Sequence, residues 1–298
     1  MHKSIQIYMN IHIFTRNIRM DIQERVCIIC GVFVHNMQLA NGGTSLTGRG
    51  RSGIIWEKAG GYPARQKGNF TMGATLYGLG VGPGDPELLT LKAVKTLRSC
   101  PVLVVPDADR GESVAYQIAV QACPEIAEKE VVSVRMPMTH DLAVLRSSHR
   151  AAADRIEQEL DRGRDVAFLT LGDPTVYATY IYVHQLVVQD GYDAAIVSGV
   201  PSFCAAAARL GISLAERGQM LHIVPSAHGV EQALALPGVK VLMKAGSKME
   251  QVRQALVNSD MEVAMVENCG MTTERVFYSA QEIPADAGYF SLIVAKDR

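Results

Sequence analysis

The pattern of hydrophobic and polar positions changes character near Met72. Downstream of it, short apolar runs alternate with segments whose apolar positions recur at helical spacing, which predicts strands separated by helices. Upstream, "LANGGTSLTGRGRSG" and "GGYPARQKGNF" have neither helical nor alternating periodicity. We therefore set residues 1–71 apart as an atypical N-terminal extension. A translation start placed too far upstream is the favoured explanation, and a genuine flexible extension is the alternative.

The first half of the patterned region alternates strands with helices. Strands are predicted at "ATLYGLG", "PVLVVP", "VVSVRMP", the start of "DVAFLTLGDP", and "AAIVSGVP". Helices are predicted at "SSHRAAADRIEQELDRG", "TVYATYIYVHQLVVQDG" and "SFCAAAARLG", and after the cap residue Asp85, with Pro86 in the first turn and Leu88, Leu91, Val94 and Leu97 on one face. This order is typical of a mainly parallel sheet with helices on both faces, which binds ligands at the carboxyl ends of its strands.

A second set of elements follows. Strands are predicted near "MLHIVP", "VKVLMK", "MEVAMVEN" and "YFSLIVAKD", with the helix "SKMEQVRQALVNSD" among them. The sequence therefore predicts an α/β protein with two α/β domains, residues 72–208 and 209–298, which meet near Arg209 to Gln219.

Composition argues against several classes of partner. The chain has 298 residues, of which 48% are hydrophobic, and a formal net charge of −1, so it lacks the basic excess that binds nucleic acid. No stretch reaches the roughly 18 to 20 apolar residues of a membrane span, and we expect no secretion. The six cysteines lack the spacing of a disulfide framework, which favours the cytoplasm. Cys27 and Cys30 form a lone CxxC with no second pair, so we predict no bound metal.

The glycine-rich stretch "GLGVGPGDPE", Gly78 to Glu87, follows the first predicted strand. The dinucleotide fingerprint fails there because Pro83 or Asp85 stands where the last glycine belongs, and the P-loop lysine is missing. Pro83 has no N–H group and Asp85 is negative, so the stretch is unsuited to phosphate. It is either a site where a ligand lies against bare backbone or an ordinary tight turn.

Two further strand ends have the same character. Gly172, Asp173 and Pro174 follow one predicted strand, and Gly199 and Pro201 follow another. In a parallel sheet all three turns open on one edge, where they would line a cleft with backbone groups and short side chains. Such a cleft favours a flat or zwitterionic small molecule.

Four blocks carry a family resemblance. In chain order, "TLYGLGVGPGDPELLTLKAVKTL", "DVAFLTLGDPTVYATYIYV", "VSGVPSFCAAAARLG" and "VENCGMTTERV" resemble the tetrapyrrole methylases, which use S-adenosylmethionine as methyl donor. The resemblance runs from about Thr75 to the C-terminus. Within the family, the segment from Val134 to Val183 is most similar to members that methylate C-20 of precorrin-2 or cobalt-precorrin-2.

The resemblance implies a two-domain class III methyltransferase, commonly a homodimer, with S-adenosylmethionine between the domains and the tetrapyrrole in an adjoining trough. The residues implied to bind the methyl donor are Pro83, Gly172, Asp173, Val176, Pro201, Ser202, Met243 and Met271. Many relatives have threonine in place of Pro201, and the Ser202 hydroxyl can substitute for it. Gly82 and Gly84 are implied to face the acceptor.

Methyl transfer from a sulfonium depends mainly on alignment, with the reacting atoms about 3 to 3.5 Å apart. A proton must later leave the acceptor carbon, so a carboxylate or phenol near the cleft is expected. Asp85 is the candidate base, and capping a helix is its alternative role. Tyr177 and Tyr180, three residues apart on a predicted helix, are placed against the macrocycle, with the hydrophobic core as the alternative.

The carboxylates of such an acceptor call for basic side chains around the trough. The candidates are Arg110, Arg135, Arg146 and Arg150, for each of which a solvated surface charge is the alternative. Three histidines lack the spacing of metal ligands and are expected on surfaces or helix faces, namely His140, His149 and His184.

Other functions stay open from the sequence. A family member acting on uroporphyrinogen III, precorrin-4, or an RNA or protein acceptor would share the same methyl-donor blocks. A nicotinamide-dependent oxidoreductase or a non-catalytic binding domain could also use alternating strands and helices, although the failed fingerprint opposes the oxidoreductase.

Overall fold

The computed structural model describes residues 73–106, 111–225 and 229–298. It also describes two two-residue strands, β1 (Val26–Cys27) and β2 (Val32–Phe33), which pair antiparallel. Residue contacts divide the chain into two units, Met1–Ala59 and Gly60–Arg298, and the fold described below belongs to the second. The interpretation of residues 1–71, the prediction that the CxxC motif binds no metal and the placement of Arg110 lie outside the described residues.

The first sheet contains five parallel strands in the order β5-β4-β6-β3-β7. These strands are β3 (Thr75–Gly80), β4 (Val102–Val105), β5 (Glu130–Ser133), β6 (Val166–Thr170) and β7 (Asp193–Val197). Helices α1 (Leu91–Ser99) and α2 (Val114–Ala122) cover one face, and α3 (Leu142–Leu160) and α4 (Tyr180–Gln189) cover the other. The predicted parallel sheet with helices on both faces is confirmed.

The continuous apolar strands explain why both faces are covered. Successive strand side chains point to opposite faces, so one apolar run can supply two cores. In β4, Leu103 and Val105 pack in the core with α1 and α2, whereas Val102 and Val104 pack in the core with α3 and α4. The run therefore requires helices on both sides.

The second sheet is mainly antiparallel, with the order β11-β10-β12-β9-β8. Its strands are β8 (Leu221–Pro225), β9 (Val239–Met243), β10 (Met261–Glu267), β11 (Arg275–Phe277) and β12 (Ser291–Asp297). Only β8 and β9 pair in parallel among these five strands. Helix α7 (Met249–Val257) packs in one core with Leu242, Met265 and Ile293, and the short α6 (Val230–Leu234) packs beside it.

Helix α5 (Ser202–Leu210) follows β7 of the first sheet but packs on the second. Ala205, Ala206 and Leu210 are buried in one cluster with Val241 and Val294. The boundary between residues 208 and 209, which stays a prediction, therefore falls inside a helix that connects the two sheets.

The predicted start of the first helix is wrong. Asp85 caps only a 3₁₀ turn, Pro86–Leu88, where its Oδ1 accepts a hydrogen bond from the Glu87 N–H at 2.8 Å. Helix α1 begins at Leu91, after Thr90, whose hydroxyl oxygen accepts from the Ala93 N–H at 3.1 Å. Leu91 is 81% exposed, so it does not share the buried face of Leu97.

Two other helices also differ from their predicted starts. The helix expected from Thr175 begins only at Tyr180, because Tyr177 has a left-handed backbone with φ of 49°. Tyr177 and Tyr180 therefore do not share a helix face. Helix α3 begins earlier than predicted. The Asp141 carboxylate caps it by accepting hydrogen bonds from the Ala143 and Val144 N–H groups.

Candidate functional site

Three turns, which follow β3, β6 and β7, lie together at the carboxyl edge of the first sheet. Gly172 N–H donates to Gly82 O at 2.8 Å, and Gly82 N–H donates to Gly172 O at 3.3 Å. The Gly199 N–H of the third turn donates to Asp173 Oδ2 at 3.0 Å. The prediction that these turns open on one edge is confirmed.

Glycine is required at this edge because the three backbones touch. A Cβ atom on Gly199 would lie 2.1 Å from Gly172 O, and a Cβ atom on Gly80 would lie 2.5 Å from Gly199 N. Gly172 also has φ of 72°, a conformation that side chains disfavour. The edge therefore presents backbone rather than side chains.

The Asp173 carboxylate holds two of the turns together. It is buried and accepts hydrogen bonds from the Thr175 N–H at 2.8 Å, the Thr175 hydroxyl at 2.5 Å and the Gly199 N–H at 3.0 Å. Charged acceptors make stronger hydrogen bonds than neutral ones. Both carboxylate oxygens are thus used in fixing the shape of the site.

A cavity of about 560 Å³ opens beside these turns. This volume lies within the range of small-molecule sites, roughly 300 to 1,000 Å³. Both sheets contribute to its wall, which is formed by Pro83, Pro106, Glu112, Val114, Ala115, Met136, Met138, Phe168, Thr170, Leu171, Gly172, Asp173, Val176, Tyr177, Thr179, Tyr180, Ser202, Met243, Lys244, Cys269, Tyr289, Phe290, Ser291 and Leu292.

Most residues predicted for the methyl donor line this cavity, namely Pro83, Gly172, Asp173, Val176, Ser202 and Met243. Pro201 and Met271 are not among the lining residues. Pro201 occupies the N-cap position of α5, and Met271 lies in a turn in which its N–H donates to Asn268 O at 2.9 Å. Binding of a ligand by any of these residues stays a prediction.

Gly82, Gly84 and Asp85 do not line the cavity. A Cβ atom on Gly84 would lie 2.0 Å from Cys269 O, so that position faces the protein itself. Gly82 has φ of 75°, and a side chain there strains the backbone whatever ligand is bound. Asp85 has the alternative role that the sequence left open, as the cap of the 3₁₀ turn.

The two tyrosines are in different environments. Tyr180 is 1% exposed. Its ring packs against Gly78 so closely that a Cβ atom on Gly78 would lie 1.9 Å from a ring carbon. Its hydroxyl lies 3.0 Å from His184 Nδ1, and burial raises the pKa of the phenol. Tyr180 is therefore a core residue that also borders the cavity. Tyr177 is 48% exposed, and its hydroxyl donates to Ile223 O at 3.0 Å.

Lys244 is the one basic side chain among the lining residues within the described part of the chain. Its backbone is left-handed, with φ of 56°. Its Nζ donates to Tyr177 O at 3.2 Å and lies 5.6 Å from the centre of the Tyr177 ring. Two residues with unfavourable backbone conformations thus meet at the cavity wall, as is common at binding sites.

The other basic and imidazole side chains have different surroundings. Arg150 pairs with Asp154, Glu157 and Asp190, while Arg135 and Arg146 are exposed and do not line the cavity. His149 is buried and stacks on Tyr182 with ring centres 4.9 Å apart, and His140 is exposed.

Across residues 73–106, 111–225 and 229–298, no three His, Cys, Asp or Glu side chains are grouped as metal ligands. In the same ranges, no helix has the length and hydropathy to cross a bilayer.

Sequence reasoning missed much of the cavity wall. Phe168 and Thr170 are in strand β6, and Tyr289 and Phe290 immediately precede β12. Strand patterns carry no sign of which residues border an opening. The only signal for Lys244 was its place after Met243, which the family resemblance had selected.

The family comparison agrees with this architecture. The family described as Tetrapyrrole (Corrin/Porphyrin) Methylases matches residues 75–284. The chain belongs to this family.

Individual relatives differ in length. "Cobalamin biosynthesis protein CobIJ" of Mycobacterium tuberculosis (strain ATCC 25618 / H37Rv) is 33% identical over 229 residues, which cover 73% of this chain and 45% of that protein. The chain thus spans less than half of that relative. "Probable cobalt-precorrin-2 C(20)-methyltransferase" of Methanocaldococcus jannaschii is 31% identical over 225 residues, covering 74% of this chain and 95% of the relative.

A solved structure has the same fold. The crystal structure of uroporphyrin-III C-methyltransferase from Thermus thermophilus complexed with S-adenyl homocysteine has a TM-score of 0.56 and 21% identity. The match covers 75% of this chain and 97% of the other. The fold is therefore that of the class III tetrapyrrole methyltransferases.

The Gly199→Ala variant should be destabilised by on the order of 3 kcal/mol, because its Cβ atom overlaps the Gly172 carbonyl. Urea unfolding followed by circular dichroism measures the change. Gly218→Ala is the matched control, since a Cβ atom there has no neighbour within 4 Å, and its stability should change by at most about 0.5 kcal/mol. Equal stability of the two variants would contradict the close backbone contact.

Cys269 should react slowly with iodoacetamide. Burial, together with the negative charges of Glu274 and Asp85, raises the pKa of its thiol to about 11, and only the thiolate reacts. At pH 8, mass spectrometry of the peptides should find exposed Cys204 labelled before Cys269. Labelling of Cys269 should rise roughly tenfold per pH unit below its pKa. Labelling of both cysteines at one rate would show that Cys269 is more accessible than the structure indicates.

Proposed function

We propose that this chain transfers a methyl group from S-adenosylmethionine to C-20 of precorrin-2 or cobalt-precorrin-2 during synthesis of the corrin ring of cobalamin. The observation that carries the proposal is the joining of three glycine-containing turns at a cavity shared by two sheets. Support for the acceptor comes from the Methanocaldococcus jannaschii relative, which is named for this reaction and is matched over 95% of its length.

The residues of the cavity fit the methyl donor in shape and charge. Gly172 presents bare backbone in the wall, and Val176 and Met243 add apolar side chains. Among the lining residues the charged ones are Glu112, Asp173 and Lys244. A sparse and mixed set of charges suits a zwitterion that also bears a sulfonium, and it disfavours a polyphosphate.

The chain's contribution to the reaction is mainly positional. S-adenosylmethionine supplies an already activated methyl group. The three turns fix the donor side of the cavity, and Asp173 keeps two of them in register. A displacement of about 1 Å can cost on the order of a hundredfold in rate, so rigid backbone contacts are a suitable scaffold.

The proton that leaves the acceptor needs a different base from Asp85, which does not reach the cavity. Cys269 and Tyr180 are kept neutral by burial, which raises the pKa of each. Both Asp173 oxygens already accept hydrogen bonds. Glu112 is the remaining carboxylate in the wall, and we assign the proton to it or to water beside it.

Lys244 is suited to pair with one carboxylate of the acceptor. A flexible ammonium group attracts a carboxylate from several directions, and its present hydrogen bond to the Tyr177 carbonyl is exchangeable. We further propose that the enzyme works in the cytoplasm as a homodimer, as the family resemblance implies. Light scattering after size-exclusion chromatography tests the dimer.

The direct test is methyl transfer from labelled S-adenosylmethionine to a panel of acceptors. Metal-free precorrin-2, cobalt-precorrin-2, uroporphyrinogen III and precorrin-4 are each supplied in separate reactions. We expect labelling of one or both precorrin-2 forms at C-20, located by NMR. Labelling only of uroporphyrinogen III or precorrin-4 would replace the proposed acceptor, and no labelling of any acceptor would oppose the reaction.

Asp173→Asn should weaken binding of S-adenosylhomocysteine by about tenfold or more. An amide has one acceptor oxygen. Its NH₂ group must therefore face either the Thr175 N–H or the Gly199 N–H, and two donors cannot form a hydrogen bond with each other. Calorimetric titration measures the affinity. Asp193→Asn makes the same chemical change at an exposed residue and should leave the affinity unchanged. Unchanged affinity in both folded variants would remove this turn from the site.

A further inference from the structure

Thr170, the last residue of β6, has a buried hydroxyl with no hydrogen-bond partner among the residues that the structure describes. The residue is 7% exposed, and its Oγ1 is one of two buried side-chain atoms without a partner in the described part of the chain. The other, Arg164 Nε, belongs to a guanidinium whose remaining nitrogens bind Glu130 and Glu159. Thr170 Oγ1 is the only hydrogen-bonding atom of its side chain, so the whole polar function is unused.

The position of Thr170 connects it with the cavity. Its carbonyl accepts from the Val81 N–H at 2.9 Å, which joins β6 to the glycine-rich turn. Thr170 lies two residues after Phe168, so the two side chains share a face of the sheet, and both residues line the cavity. The turn that contains Gly172 and Asp173 follows at once.

A buried hydroxyl without a partner lowers the stability of a protein. Valine has nearly the same shape and would fill this position without that cost. The hydroxyl hydrogen can turn about the Cβ–Oγ1 bond, and no hydrogen bond to a described residue holds it in place. The hydroxyl is thus free to turn to a partner that enters the cavity.

We propose that the Thr170 hydroxyl binds the small molecule in this cavity by a hydrogen bond that forms only when the molecule is present. The inference rests on the proposed function for the identity of that molecule. Two sources offer suitable polar atoms, namely the amino acid and ribose groups of S-adenosylmethionine and the pyrrole N–H and carboxylate groups of the tetrapyrrole. Their shared chemistry is a hydrogen-bonding group that lies near the end of β6.

The test uses Thr170→Val, which removes the hydroxyl at constant shape, and Thr170→Ser, which retains it. Thr96→Val is the matched control, because Thr96 is 8% exposed in α1 and does not line the cavity. For each full-length variant, urea unfolding gives the stability without ligand. Calorimetry gives the Kd for S-adenosylhomocysteine, and initial rates give the KM for precorrin-2.

We expect Thr170→Val to unfold at the same or a higher urea concentration than the wild type while one ligand constant weakens about tenfold, equivalent to about 1.4 kcal/mol. Thr170→Ser should restore that constant to within about threefold, and Thr96→Val should leave both constants unchanged. A weaker Kd for S-adenosylhomocysteine assigns the partner to the methyl donor. A raised KM for precorrin-2 with an unchanged Kd assigns it to the acceptor.

Two results would overturn the inference. One is a Thr170→Val variant with both ligand constants unchanged, and the other is a variant clearly less stable than the wild type, since the hydroxyl would then serve the fold. Failure of the proposed function is distinct, because the wild type itself would then bind or methylate neither ligand. In that case the unfolding midpoint alone decides whether the hydroxyl is unsatisfied, and a lower midpoint for Thr170→Val rejects the inference.

Discussion

The contact of three backbones at Gly80, Gly172 and Gly199 is the constraint on which the rest of the site depends. Side chains at these positions would separate turns that now touch. The contact fixes how β6 and β7 end on either side of β3, and it brings Asp173 to the Gly199 N–H. The carboxyl edge of the first sheet is consequently a rigid surface made of backbone.

The same constraint reaches the second sheet through helix α5. This helix begins just after the Gly199 turn, and its alanines pack on β10 and β12. A shift of the turn would therefore move the support of the second sheet, which provides Met243, Lys244 and Cys269 to the cavity. The hydrogen bonds of Tyr177 to Ile223 O and of Lys244 to Tyr177 O join the two sheets at a second place.

Local patterns were sufficient for nine of the ten strands in the two sheets, for three of the four helices of the first sheet apart from their first residues, and for the common edge of the three turns. Local patterns gave a wrong or incomplete prediction where the same sequence pattern is compatible with two different structures. The Asp85–Pro86 pair begins a 3₁₀ turn rather than an α-helix, so the predicted start of α1 was wrong. Likewise, an apolar strand pattern does not indicate the direction of a strand, so the antiparallel pairing in the second sheet could not be predicted from the sequence. Thr170 and Lys244 join the cavity only through contacts between distant segments, which no local pattern records.

The strand order of the first sheet has a consequence for synthesis on the ribosome. Strand β3 is the first strand of the sheet to be made, yet it lies between β6 and β7, the last two. Thr75 cannot meet its partner Asp193 until the intervening chain has been translated, which takes on the order of ten seconds. During that interval the edge of β3 that later pairs with β7 exposes unpaired N–H and C=O groups, so the nascent chain is prone to aggregation until β7 emerges. Codon usage or a chaperone that acts while residues 81–192 are translated would then affect the yield of folded protein.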